Sequence, residues 1–158
     1  MRTAEYLSQL RNIDRRIADK RLEAEKWREI AKGVQSVATD SEKVVTSVNP
    51  DRMGAAVARA VDYEREADQM AEGLVLLRHH IIDQIDSIED PEEPRYYNIL
   101  KAYYLKGMTF TAIGIDLNYS AKQVSRDLGK AQSIFEKMYL EEYKDVKNMS
   151  ELLRHFRS

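Results

Sequence analysis

The chain has 158 residues, with 25 Lys and Arg side chains, 27 Asp and Glu side chains, no Cys and a formal net charge of −2. This length suits one globular domain or two small ones, and the lack of Cys excludes disulfides, thiolate zinc sites, iron–sulfur clusters and a cysteine nucleophile. A charged share of 33% with only six Gly and three Pro predicts an all-α protein.

The first predicted element is a long amphipathic helix from Thr3 to about Val34. Apolar or small residues recur there at steps of three and four, which is the spacing of a heptad. These positions are Tyr6, Leu10, Ile13, Ile17, Ala24, Trp27, Ala31 and Val34. The stretch from Ser36 to Asp51 is rich in Ser, Thr and β-branched residues and contains Asn-Pro, so it predicts a loop.

A second helical pattern runs from about Asp51 to Ile88 and predicts a partner for the first helix. Its apolar positions are Met53, Val57, Ala60, Ala67, Met70, Leu74, Leu77, Ile81, Ile85 and Ile88. Together the two helices predict an antiparallel, coiled-coil-like hairpin over residues 1–93. Two helices make a thin core and leave an apolar seam exposed, so we expect a homo-oligomer formed through the hairpin. The acidic, proline-containing segment 89–94 predicts the end of this domain.

Residues 94–138 form a second predicted domain that differs in charge from the first. They hold 7 basic and 3 acidic side chains, whereas residues 1–93 hold 14 basic and 20 acidic ones. A helix is predicted from Arg95 to Lys106, ending at Gly107. Residues 139–158 are a predicted helical tail with a break at residues 148–150. The basic segment indicates a local surface for a polyanion.

The segment from Phe110 to Phe135 has the pattern of a helix-turn-helix. Ile113 and Gly114 supply an apolar residue and then a small residue where two helices cross. Asn118 tolerates the left-handed backbone that the turn needs, and Ser120 is a good N-cap for the following helix. The sequence therefore predicts a module that binds double-stranded DNA.

The helix after Ser120 is predicted to bury Val124, Leu128, Ala131 and Phe135 and to place its recognition residues in a major groove. The predicted DNA-contacting residues of this helix are Ser120, Ala121, Lys122, Gln123, Ser125, Arg126 and Lys130. The predicted phosphate contacts elsewhere are Arg95, Lys101 and Lys106.

The C-terminal half of the sequence resembles a known family of DNA-binding domains. The run RYYNILKAYYLKGMTFTAIGIDLNYSAKQVSRDLGKAQSIFEKM, residues 95–138, resembles the helix-turn-helix domain with which bacterial sigma factors recognise the upstream promoter element. The whole chain resembles small phage and prophage proteins of Gram-positive bacteria, in the group of ArpU-like late transcription regulators. The landmarks are DRMGAAVARAVDYE at 51–64 and LNYSAKQVSRDLGKA at 117–131. The resemblance implies a regulator that reads a promoter or operator and contacts RNA polymerase.

The chain departs from the sigma-type pattern at three positions. Ala112 stands where an acidic residue is usual, Asn118 where Gly is usual, and Asp127 where an apolar residue is usual. We expect Asp127 to place a negative charge near the DNA-binding face, with Leu128 replacing the missing core contact. Residues 1–93 resemble no promoter-melting domain, so a complete sigma factor is not expected.

Other chemistry is not expected from this sequence: we predict no enzymatic activity, no cofactor and no metal. His79 and His80 are adjacent and diverge on a helix, which makes them poor joint ligands. The N-terminus carries charges where a signal peptide needs an apolar core, so we expect a protein of the bacterial host cytoplasm, without a membrane partner.

Two alternative functions stay open. The first is a DNA-packaging protein like a small terminase subunit, which has the same kinds of element but assembles as a ring. The second is an adaptor or structural protein whose C-terminal helices never bind DNA.

Overall fold

The computed structural model describes residues 1–40, 50–88 and 95–155, and this part of the chain is all-α, with no strand. The predicted all-α class is therefore confirmed. The helices are α1 Thr3–Asp40, α2 Pro50–Asp86, α3 Arg95–Leu100, α4 Phe110–Leu117, α5 Ala121–Tyr139 and α6 Met149–His155. A π-helical turn, Lys101–Leu105, continues α3, and a 3₁₀ turn, Leu140–Tyr143, follows α5. Among these helices none is long and apolar enough to cross a bilayer.

Both ends of the segment predicted as a loop belong to the two long helices. Helix α1 extends to Asp40 and α2 begins at Pro50, so both ends of the predicted Ser36–Asp51 loop are helical. Proline is compatible with the first helical position because its missing N–H is not needed there. Residues 41–49 lie outside the described residues, as does the predicted domain boundary at 89–94.

The chain divides by its internal contacts into two compact units. The proximal unit comprises Met1–Asp14 and Gly73–Ser158, and the distal unit comprises Arg15–Glu72. The start of α1 and the end of α2 therefore belong with the C-terminal helices. The predicted domains 1–93, 94–138 and 139–158 follow the sequence instead, and they stay a prediction.

Tyr6 is at the centre of the proximal unit. Its side chain is fully buried, and its hydroxyl donates a hydrogen bond to Gln84 Oε1 at 2.8 Å. Its ring stacks on Tyr143, with 5.6 Å between ring centroids, and tilts against Phe135 at 5.9 Å. The N-terminal turns of α1 thus share one core with α2, α5 and the tail.

The tail packs into the proximal unit instead of extending from it. Leu140, Val146 and Leu152 are buried there. Asn148 Oδ1 accepts a hydrogen bond from the Glu151 backbone N–H at 3.0 Å, which caps α6. The helical run is therefore broken before Met149, whereas Met149 and Ser150 of the predicted break are helical. Residues 139–155 therefore contribute buried side chains to the core of the proximal unit.

Among the described residues of the distal unit, the buried apolar side chains are Ile17 and five alanines, namely Ala24, Ala31, Ala60, Ala67 and Ala71. Trp27 lies against Tyr63, with 4.7 Å between ring centroids, and Arg28 forms an ion pair with Glu64 at 2.7 Å. Larger apolar side chains such as Leu22 and Ile30 are about half exposed. An alanine buries little apolar area, so the five alanines add little to the core of this unit.

Candidate nucleic-acid interface

The turn between α4 and α5 is built from residues that fit its backbone closely. Asn118 ends α4 with φ 58° and ψ 40°, the left-handed conformation that the sequence predicted. The Tyr119 backbone N–H donates to the Gly114 carbonyl at 2.8 Å. A Cβ atom on Gly114 would lie 2.4 Å from the Tyr119 carbonyl oxygen, so this close approach requires glycine. The turn thus brings the end of α4 directly against the start of α5.

Both helices of the site begin with a hydroxyl cap. Thr109 Oγ1 accepts a hydrogen bond from the Ala112 N–H at 3.2 Å, and Ser120 Oγ accepts one from the Gln123 N–H at 3.1 Å. Each cap satisfies a backbone donor that has no partner within its helix. The start of α5, which carries most of the predicted DNA contacts, is therefore fixed by Ser120.

We expect Ser120→Ala to lower the free energy of unfolding by about 1 kcal/mol, because the Gln123 N–H loses its acceptor. Urea unfolding followed by circular dichroism measures this loss. Ser125→Ala is the matched control: Ser125 is exposed on the same helix, so that change should leave the unfolding midpoint nearly unaltered. Equal midpoints for the two variants would contradict the role of Ser120.

Helix α5 has a buried face and an exposed face, as predicted. Val124, Leu128, Ala131 and Phe135 are buried. Of the residues of α5 and its cap that are predicted to contact DNA, Gln123 is half-buried. The others are exposed, namely Ser120, Ala121, Lys122, Ser125, Arg126 and Lys130. The pattern of apolar spacing was thus sufficient to orient this helix.

A basic stripe follows the exposed face of α5. Lys122, Arg126, Lys130 and Lys137 fall within an arc of about 80° at 100° per residue, opposite the buried residues. None of the four forms a hydrogen bond or ion pair with another residue of the described part of the chain. Lys137 was not among the predicted contacts, although a helical projection of the sequence places it on this stripe. The four cations are therefore available to an external anion.

Two of the predicted phosphate contacts are occupied by carboxylates, and the third is not. Lys101 Nζ lies 2.5 Å from Asp86 Oδ1, and Arg95 Nε lies 3.7 Å from Asp127 Oδ2. Lys106 is exposed at the end of the turn that follows α3. Of these three residues, Lys106 alone is exposed, as the residues of the basic stripe are. Arg95 and Lys101 are therefore weaker candidates for contacts with DNA phosphates.

The expected position of Asp127 is wrong. Its side chain is completely buried instead of lying near the exposed face, because α5 turns it towards α3. Asp127 Oδ1 accepts a hydrogen bond from Gln123 Nε2 at 3.0 Å, and Arg95 supplies the opposite charge. Leu128 is also buried, as expected. The exposed face of α5 is therefore free of this negative charge.

Arg95 joins three parts of the site. Besides facing Asp127, it donates a hydrogen bond from Nη1 to the Tyr119 hydroxyl at 3.4 Å. Its guanidinium lies over the rings of Tyr96 and Tyr119, 5.3 and 5.7 Å from their centroids. Arg95 thus connects the start of α3 with the turn and with α5.

Of the four tyrosines of α3 and its π-helical turn, Tyr104 is buried, and Tyr96, Tyr97 and Tyr103 are half-buried. Burial raises the pKa of Tyr104, although the hydrogen bond from Gln132 opposes this rise. The Tyr103 carbonyl accepts a hydrogen bond from Arg11 Nε at 3.3 Å. These contacts connect the segment with α5 through Gln132 and with α1 through Arg11.

Two further observations concern other kinds of site. Within residues 1–40, 50–88 and 95–155, no group of three His, Asp or Glu side chains is placed to hold a metal ion. His80 Nε2 lies 3.3 Å from the Tyr143 hydroxyl, and His79 is exposed, so the two rings have different surroundings.

The chain shows no significant match to a protein-family model, a curated protein or a solved structure.

Proposed function

We propose that this protein is a DNA-binding transcription regulator of phage or prophage origin. In this proposal α4, the turn and α5 form a helix-turn-helix, and α5 enters the major groove of double-stranded DNA. The two long helices form a hairpin that associates with a second copy. The supporting resemblance is to sigma-type domains, which also suggests a contact with RNA polymerase.

One observation carries the proposal: the basic stripe on α5 is exposed, has no partner in the described part of the chain, and follows a turn with specific backbone requirements. An exposed helix with Lys122 and Arg126 near its N-terminus fits the major groove, which admits one helix. Unpaired cations also bind phosphates by releasing counterions.

Charge reversal on the stripe is the test of the proposed function. We expect Lys122→Glu/Arg126→Glu to weaken binding to a specific DNA fragment at least 30-fold, or about 2 kcal/mol, because two attractive contacts become repulsive. The measurement is a mobility shift over a salt series, using fragments from the neighbourhood of the protein's own coding sequence. The slope of affinity against salt should also become shallower in the double variant.

The matched control is Arg21→Glu/Lys26→Glu, which makes the same change in net charge at two exposed positions of the distal unit. We expect this control to bind DNA nearly as tightly as the wild type. If both double variants lose binding equally, the effect is one of net charge and α5 is not the reading helix. If the wild type shifts no fragment selectively, the adaptor function replaces DNA binding as the best account.

A further inference from the structure

Within α5, Gln123 is the one predicted DNA contact whose side chain already forms a hydrogen bond in the described part of the chain. Its Nε2 donates a hydrogen bond to Asp127 Oδ1 at 3.0 Å, and the side chain is half-buried. A glutamine reads adenine with both its amide donor and its amide acceptor. Nε2 carries a second N–H, but its hydrogen bond holds the amide against the fully buried carboxylate of Asp127. Turning the amide to a base edge would remove this charge-assisted hydrogen bond.

Lys122 and Arg126 are in the opposite situation. Both are exposed, and neither head group bonds to any residue in the part of the chain that the structure describes. They lie four residues apart, so their backbones are about 6 Å apart along the helix axis, close to two base-pair steps of about 3.4 Å. Arg and Lys both pair with the O6 and N7 acceptors of guanine.

The small side chains beside them leave this pair as the main source of base contacts. Ala121, Ser125 and Gly129 share one exposed row of α5, and no heavy atom lies within 4 Å of a Cβ atom built on Gly129. Such residues allow the helix backbone to approach the base edges closely, while adding little hydrogen bonding of their own.

From this geometry we propose that the base preference of the protein is for guanine at two positions within about two base-pair steps of each other, read by Lys122 and Arg126. Gln123 is a positioning residue that holds α5 through Asp127 and Arg95, and it reads no adenine. This inference rests on the proposed function, and it specifies which DNA that function would select.

The test is selection of duplexes from a randomised DNA pool by the full-length wild type and by Arg126→Ala, Gln123→Ala and Gln123→Met. The wild-type motif should contain two guanines at the stated spacing. Arg126→Ala should relax the preference at one of them about tenfold and leave the other position unchanged. Gln123→Ala should keep the whole motif and weaken binding a few-fold for every sequence alike.

Gln123→Met guards against an effect of unfolding, because it keeps the length of the side chain and removes only its polar atoms. Affinity is compared where circular dichroism shows each variant fully folded, so a loss of affinity reports the position of α5. An adenine in the wild-type motif that either Gln123 variant no longer selects would overturn the inference alone. A pool from which no motif is enriched would overturn the proposed function as well.

Discussion

Arg95→Met should lower the free energy of unfolding by about 3 kcal/mol, a much larger loss than removal of a surface cation produces. Asp127 is fully buried, and Arg95, whose side chain is 22% exposed, supplies the positive charge beside it. Removing one partner of a buried ion pair leaves an uncompensated charge and typically costs about 3 to 5 kcal/mol. We take the lower end because Gln123 still donates a hydrogen bond to the carboxylate.

The double variant Arg95→Met/Asp127→Leu should recover most of this loss, since replacing a buried pair by apolar side chains of similar volume is often neutral. Lys144→Met is the matched control, because Lys144 pairs with Glu141 at the surface, where both side chains are more than half exposed. That control should change the free energy of unfolding by less than 1 kcal/mol. Unfolding in urea measures all three variants. If the double variant is no more stable than Arg95→Met, the pair does not account for the cost.

The local features of the site were predictable because they depend on neighbouring residues. Left-handed backbone at Asn118, the cap at Ser120 and the buried face of α5 each follow from a few adjacent residue types and from helical period. These three predictions are confirmed. The all-α class was predictable for the same reason, since the heptad spacing extends over most of both long helices.

The features that the sequence could not supply depend on contacts between distant segments. Asp127 looked like an exposed departure from the sigma-type pattern, and only the position of Arg95 at the start of α3 makes its burial possible. The hydrogen bond from Gln123 to Asp127 joins neighbouring turns of α5, but its importance depends on this burial of Asp127. Lys101 is paired with Asp86 of α2, which a prediction made from the basic segment alone could not include.

The tail illustrates a different limit. Its helical tendency and its break were readable, but its partner surface was not, because Leu140, Val146 and Leu152 pack into a unit that begins at the other end of the chain. Periodicity identifies which face of a helix is apolar and does not identify what covers that face. Periodicity for the same reason does not supply the division of the chain into proximal and distal units by internal contacts.

Gly114→Ala should lower the free energy of unfolding by about 2 to 3 kcal/mol even though alanine is the better helix former. The new Cβ atom would lie 2.4 Å from the Tyr119 carbonyl oxygen, and this oxygen belongs to the backbone of the turn, so it cannot move away as a flexible side chain would. Relief requires a shift of the turn itself, which would also disturb the hydrogen bond from the Tyr119 N–H to the Gly114 carbonyl.

Gly129→Ala makes the same chemical change at a helical position of α5 where a Cβ atom meets nothing within 4 Å. It should raise the free energy of unfolding by up to about 1 kcal/mol, because alanine restricts the unfolded chain and favours the helix. Thermal and urea unfolding of the two variants should therefore shift in opposite directions from the wild type. Shifts in the same direction would show that the crossing of α4 and α5 tolerates a side chain. The close approach of Gly114 to Tyr119 would then not fix the position of α5 relative to α4.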